Sequence, residues 1–205
     1  MAYDVAIIGA GIAGASLAAE LSSHLSVVLI EAEDQPGYHA TGRSAAFWSE
    51  TYGGPLVQPL SSASGPFLVS PPPEFSDTGF LKTRGALMIG RDQDENRIAA
   101  FLTAYEGSGV ALERWDASAV RACLRQSHPA WDRAVWEPTT ADIDVASLHM
   151  AYLRQARRQG ADLAARARVT EVVRGTDAWT LGWPGGQVSA YRLVNAAGAW
   201  ADEVA

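Results

Sequence analysis

Residues 9–14 read GAGIAG, and the residues on either side leave little freedom over what this stretch can build. Tyr3–Ile8 before it is a short apolar run with Val5, Ile7 and Ile8, the composition of a strand buried on both faces. After it, Ile12, Leu17 and Leu21 recur among alanines up to about His24, which predicts a helix. A second apolar run, SVVLIE, occupies residues 26–31. Strand, helix and strand in about thirty residues make a βαβ unit, whose crossover is right-handed almost without exception. Within the turn, Gly9 permits the tight bend, Gly11 lets backbone approach a pyrophosphate, and Gly14 lets helix and strand pack closely. The N–H groups that open the helix, at Ile12 and Ala13, then face phosphate oxygens with the positive end of the helix dipole behind them. Glu31 follows Gly11 by about twenty residues, where an acid accepts hydrogen bonds from ribose hydroxyls and repels a 2′-phosphate. The expected ligand is therefore a dinucleotide, and not NADP.

A second stretch separates FAD from NAD. An NAD domain continues past the acid with another helix and strand, whereas this chain runs into QPGYHATGRSAAFWSETYGG. Arg43 stands there among Gly42, Ser44, Ala45 and Ala46, side chains small enough to admit something flat. Arg43 is expected to offset pyrophosphate charge, and Ser44 to cap a new helix whose first N–H groups point at phosphate or flavin. Near the C-terminus VNAAGAWAD repeats the logic: an apolar strand leads into Ala196, Ala197 and Gly198, with Trp200 close by. An NAD-binding module would need a hydride-accepting site, and no such site is legible.

Between these two regions the pattern is less regular. Residues 83–91, 111–115 and 133–138 read as strands, and Asp94 as the cap of a helix carrying Ile98, Phe101, Leu102 and Tyr105. Pro71, Pro72 and Pro73 mark a loop. From Asp144 a strong helix carries Val145, Leu148, Tyr152 and Ala156 on one face and closes at Gly160. Arg154, Arg157 and Arg158 crowd its last turns, where cations suit the dipole. A β-rich stretch follows.

The composition excludes several other classes. A net charge of −7 argues against nucleic acid as partner. No apolar run approaches the ~20 residues that span a bilayer, and Asp4 and Glu20 sit where a leader peptide is uncharged. The single cysteine, Cys123, permits no internal disulfide and suits a cytoplasmic setting, the expected location. His24, His39, His128 and His149 share no metal-ligand spacing, so no metal site is expected.

Taken together, GAGIAGAS, QPGYHATGRSAA, TYG, ADID, LH..YLR and LVNAAGAW resemble the N-terminal portion of the FAD-dependent D-amino-acid oxidase family. The likeness lies in its glycine oxidase-like and D-arginine dehydrogenase-like branch, and runs along essentially the whole chain. It implies an α/β fold: a Rossmann-like FAD-binding domain, discontinuous over 1–80 and 140–205, with the beginning of an inserted α+β substrate domain at 81–139. It implies FAD contacts at Ala13, Glu31 and Ala32, along Ala40, Thr41, Gly42, Arg43, Ser44, Ala45, Ala46 and Phe47, and at Val169. Tyr52 matches a tyrosine of the active-site lid region, and is the catalytic candidate. The implied reaction oxidises the amine of a D-amino acid or related amine by hydride transfer to flavin; water then hydrolyses the imine to a keto acid.

Two departures narrow the substrate. Relatives carry histidine where this chain has Phe47, and the D-arginine enzymes carry glutamate where it has Ala86. Loss of that carboxylate predicts a neutral, apolar D-amino acid. Family members are also longer, and the missing part holds the arginine for the substrate carboxylate. The chain is accordingly expected to be a fragment, a truncated product, or half of a split enzyme with a separate C-terminal half, and inactive alone. The rival reading is a non-catalytic dinucleotide-binding module that lacks its active-site half.

Overall fold

The computed structural model describes residues 2–205. In chain order the strands are β1 Tyr3–Ile8, β2 Val27–Ile30, β3 Phe47–Trp48, β4 Leu81–Thr83, β5 Ala86–Gly90, β6 Glu113–Trp115, β7 Arg133–Glu137, β8 Ala141–Ile143, β9 Asp162–Ala164, β10 Glu171–Arg174, β11 Trp179–Trp183 and β12 Gly186–Asn195. The α-helices are α1 Ile12–Leu21, α2 Gln58–Val69, α3 Glu95–Ala104, α4 Ala117–Cys123, α5 Val145–Arg158 and α6 Ala201–Val204. They form a mixed α/β structure of two compact units. The first holds the residues up to Ser44, Pro73–Ser76 and Val145–Ala205; the second holds Ala45–Pro72 and Asp77–Asp144. These divisions fall at residues 44 and 144, with a short return at 73–76, instead of near 80 and 140.

In the first unit a six-stranded sheet runs β10-β11-β12-β1-β2-β9. β1 lies between β12 and β2 and is parallel to both, while β10, β11 and β12 are antiparallel. Because side chains alternate along a strand, β1 feeds two cores at once. Val5 and Ile7 pack with Ala15, Ala18 and Ala19 of α1 and with Leu153 and Ala156 of α5. Ala6 and Ile8 face the other way, onto Val28, Ile30, Leu181 and Ala190. Alanines on α1 allow the close approach of α5 and the sheet; larger side chains there would push the layers apart. The short return at 73–76 is fastened by Phe75, whose ring meets Tyr152 edge-on at 4.9 Å, and by the Arg158 guanidinium, which donates to the Glu74 carbonyl at 2.6 Å.

The second unit holds two three-stranded sheets, β3-β8-β4 and β5-β7-β6. Its α4 is capped by Asp116, whose carboxylate accepts from the N–H groups of Ser118 and Ala119. Those bonds, the one from the Ala119 N–H first, hold the Asp116 carboxyl below its ordinary range. Two expectations from the residue pattern need correction here. Asp94 does not cap α3 with its side chain. Its carboxylate turns back to accept from the Arg91 N–H at 3.1 Å, closing a single 3₁₀ turn ahead of the helix. Likewise no helix begins at Ser44: residues 44–46 are irregular and lead directly into β3, whose Phe47 and Trp48 pair with Asp142 and Ala141. The pull of that ladder outweighs the capping tendency of one serine.

Trp48 packs against α2. The indole N–H donates to the Ser61 carbonyl at 2.8 Å, and a Cβ at Gly65 would lie 2.9 Å from the ring. α2 forms despite Pro66 in its interior. No helix among the described residues is long and apolar enough to cross a membrane.

A candidate cofactor cavity at the glycine turn

The turn after β1 is built from backbone contacts that exclude side chains. Gly9 has φ +101°, and a Cβ there would sit 2.3 Å from the Ala196 carbonyl oxygen. Its N–H donates to the Ile30 carbonyl at 2.8 Å, so the turn is drawn between the ends of β2 and β12. At Gly14, in the first turns of α1, a Cβ would come within 1.9 Å of the Gly9 carbonyl oxygen. Gly11 has only the Thr41 hydroxyl near its missing side chain, at 3.1 Å. The three glycines thus do different work: the first and third let backbone pass backbone, and the second leaves the helix start open. α1 has no acid in its first turn, and its N-cap Gly11 makes no side-chain bond. The Ile12 N–H instead donates across to Thr41 Oγ1 at 2.9 Å.

Glu31 is 8% exposed, and each of its oxygens is tied to backbone. Oε2 accepts from the Ala10 N–H and Oε1 from the Glu33 N–H, both at 3.0 Å. A carboxylate offers about four lone-pair sites, so two remain for a ligand's hydroxyls. Residues 37–43 form consecutive turns, with the Gly42 N–H donating to the Gly37 carbonyl at 2.7 Å and the Arg43 N–H to the His39 carbonyl at 3.1 Å. Within them, His39 Nε2 lies 2.9 Å from Glu33 Oε1, and its ring is 4.5 Å from that of Trp200. On the far side Asn195 shapes the exit from β12: its Oδ1 accepts from the Ala197 N–H at 3.2 Å, and its Nδ2 donates to the Ala201 carbonyl at 2.7 Å.

These loop ends enclose a cavity of about 370 Å³. Gly9, Gly11, Ile12, Ala13, Glu31, Ala32, Ala40, Thr41, Val169, Ala196, Ala197, Gly198 and Trp200, all expected at the cofactor, line it. Gly14 stands behind Gly9 and shapes the turn from within. Gly42, Arg43 and Ser44 are exposed and lie outside the lining. Arg43, expected at the pyrophosphate, is turned back by its own loop: its Nε donates to the Tyr38 carbonyl at 3.3 Å, and the guanidinium rests 4.8 Å from the Tyr38 ring centre. Ala45, Ala46, Phe47 and Tyr52 belong to the second unit. There the Ala46 carbonyl accepts from the Ile143 N–H at 3.0 Å, and Phe47 and Tyr52 meet edge to face at 5.6 Å. Tyr52 is 72% exposed.

The lining also includes residues the pattern did not single out: Ile8, Ile30, Gly37, Tyr38, His39, Ala167, Arg168, Ala199, Glu203 and Val204. Ile8 and Ile30 end β1 and β2, and a rule that parallel strands present ligands at their C-terminal ends would have found them. No local signal marks residues 167–168. They arrive through β9, which pairs with β2 far away in sequence.

A parallel βαβ sheet with a glycine-lined cavity and a buried acid at the strand ends defines a dinucleotide-binding protein. Its particular kind follows from comparison with known proteins. The model of the family described as DAO, FAD dependent oxidoreductase, matches residues 4–205, and the chain belongs to that family. Solved structures agree on the fold. Glycine oxidase from Geobacillus kaustophilus is 22% identical, with a TM-score of 0.83 over 97% of this chain and 56% of that one. L-alpha-glycerophosphate oxidase from Mycoplasma pneumoniae, a structure with FAD bound, is 14% identical, with a TM-score of 0.85 over 100% of this chain and 56% of that one. L-proline dehydrogenase from P. horikoshii is 20% identical, with a TM-score of 0.84 over 98% and 54%. The chain thus spans little more than half the length of these structures.

FAD is the cofactor of this family, and the residues present fit its nucleotide part. The helix start is free of acids, Gly11 and Gly198 put no side chain in the way, and Glu31 keeps acceptor sites open. Apolar Ile8, Ile30 and Val169 suit the flat faces of a base.

Proposed function

We propose that the first unit holds FAD by its ADP half in this cavity, and that the whole protein oxidises the amine of a neutral, apolar D-amino acid or a related amine. One observation carries the cofactor part: the ends of β1, β2 and β12 and the turns at 37–41 meet around a single cavity floored by Glu31. In this reading the N–H groups of Gly11 and Ala13 face the pyrophosphate, Glu31 accepts from ribose hydroxyls, and Ala32 and Val169 flank the adenine. The bound flavin would supply a two-electron acceptor for the hydride at the substrate's Cα. Loss of that hydride from the neutral amine would leave a protonated imine, which water would hydrolyse to the keto acid with release of ammonium.

The substrate part rests on the second unit. Phe47 and Tyr52 form an aromatic pair there, and β5 carries Ala86 at the position where the resemblance gives the D-arginine enzymes a glutamate. Removing a partner for a buried cation costs far more than it costs a neutral side chain, so the preference should be large. The test is anaerobic mixing of the whole FAD-loaded protein with a panel of D- and L-amino acids, following the loss of flavin colour. D-leucine, D-methionine or D-phenylalanine is expected to bleach it at least about tenfold faster than D-arginine or D-lysine, a gap of ~1.4 kcal/mol. A preference for D-arginine, or for L-amino acids, would refute the substrate assignment while leaving the cofactor site standing.

The alternative reading is a non-catalytic dinucleotide-binding module. Its signature is nucleotide binding by this chain alone without reduction of any dye by a D-amino acid.

A further inference from the structure

His149 is 5% exposed on α5, directly beneath the glycine turn. Its Nε2 lies 2.8 Å from the Ala10 carbonyl oxygen, so that nitrogen carries the proton and donates. The Ala10 N–H is in turn given to Glu31 Oε2 at 3.0 Å. The middle residue of the G-x-G is therefore held at both its polar groups by side chains from distant parts of the chain. A trans peptide is planar, so the carbonyl of Ala10 and the N–H of Gly11 point in opposite directions. Drawing that carbonyl down onto His149 aims the Gly11 N–H the other way. Gly11 lines the cavity. The wall of the cavity rests on the same ring: a Cβ at Gly37 would lie 2.7 Å from His149 Cε1.

We infer that His149 is a positioning residue for the flavin nucleotide, presetting the Ala10–Gly11 peptide so that its N–H donates to the pyrophosphate. This rests on the cofactor reading above. A histidine that only filled space would serve as well if replaced by leucine. Here the bond from Nε2 matters, because without it the peptide can rotate and the donor must be re-aimed each time a phosphate arrives.

The experiment titrates the chain and three variants with FAD, ADP and adenosine, and measures urea midpoints in the absence of ligand. H149L removes the donor, H149N has an amide too short to reach the Nε2 position, and H149Q has one that reaches it. ADP and FAD affinity is expected to fall about tenfold or more in H149L and H149N, and within about threefold of the unaltered chain in H149Q. Adenosine, which has no phosphate, should bind all four alike. The inference is overturned if H149L and H149N hold ADP as the unaltered chain does, or if adenosine and ADP weaken together, the mark of a merely structural role. It is also overturned if H149Q fares no better than H149N, a comparison that stands even where H149L does not fold. Failure of the unaltered chain to bind FAD or ADP removes the cavity reading itself, a distinct outcome that takes this inference with it.

Discussion

Gly14→Ala is expected to destabilise the chain by about 3 kcal/mol or more, among the largest losses any single methyl can cause here. The new Cβ would stand 1.9 Å from the Gly9 carbonyl oxygen, well inside the distance two bonded-neighbour-free atoms tolerate. Neither partner can yield cheaply. Gly9 is pinned through its N–H to Ile30, and its own missing Cβ lies against Ala196. Relief requires α1 to lift from β1, which opens the packing of Ala15, Ala18 and Ala19 on Val5 and Ile7. Urea denaturation of the variant measures the loss. Gly182→Ala is the control, since its Cβ would meet only the Glu171 side chain at 3.6 Å and beyond. That change should stay within about 1 kcal/mol. Equal stability of the two variants would show that helix and strand do not approach as closely as described.

The second large effect lies in the other unit. Glu137 is 1% exposed and takes three hydrogen bonds: from the Glu50 N–H at 2.8 Å, Ser49 Oγ at 3.1 Å and Thr51 Oγ1 at 2.5 Å. Thr51 also offers its carbonyl to the Tyr105 hydroxyl at 2.8 Å. One carboxylate from β7 thereby organises residues 49–51, the turn that leads into Tyr52. Glu137→Ala removes the shared acceptor of three donors; Ser49 Oγ and Thr51 Oγ1, 3.2 Å apart, can still bond each other, and each remaining donor left without a partner or water costs roughly 1–3 kcal/mol. A fall of about 3–5 kcal/mol is expected. Glu137→Gln keeps an acceptor oxygen and the volume, and should recover at least half of it. A loss below ~1 kcal/mol in the alanine variant, read from the same urea curves, would show that water replaces the carboxylate without penalty.

These two cases also mark what could and could not be read from the residues. β1, α1 and β2 were legible because each carries its own signal: an unbroken apolar run, a glycine spacing, an alanine-rich helix. α2 was not, because SSASGP, with Pro66 inside it, reads as loop on every local scale. It forms through tertiary support, with Trp48 lying against Gly65. The hydrogen-bonding role of Glu137 was equally hidden, since its partners sit more than eighty positions away. Arg43 stands outside the cavity lining for a reason of the same kind. Small neighbours made it look like a seat for an anion, but the Gly42 N–H closes onto the Gly37 carbonyl and carries the guanidinium over Tyr38 instead. Composition speaks of what a loop could admit. Where the loop points is decided by backbone bonds that leave no pattern in one sequence.

The central claim is that the loop ends following β1, β2 and β12 serve one flavin nucleotide. An amide chemical-shift map of the chain titrated with FAD tests it most directly. Shifts are expected to concentrate at Gly11, Ala13, Ala32, Thr41, Val169 and Gly198, and to saturate together with a single dissociation constant. Saturable FAD binding whose shifts fall elsewhere and spare these residues, or no binding at all, would contradict it.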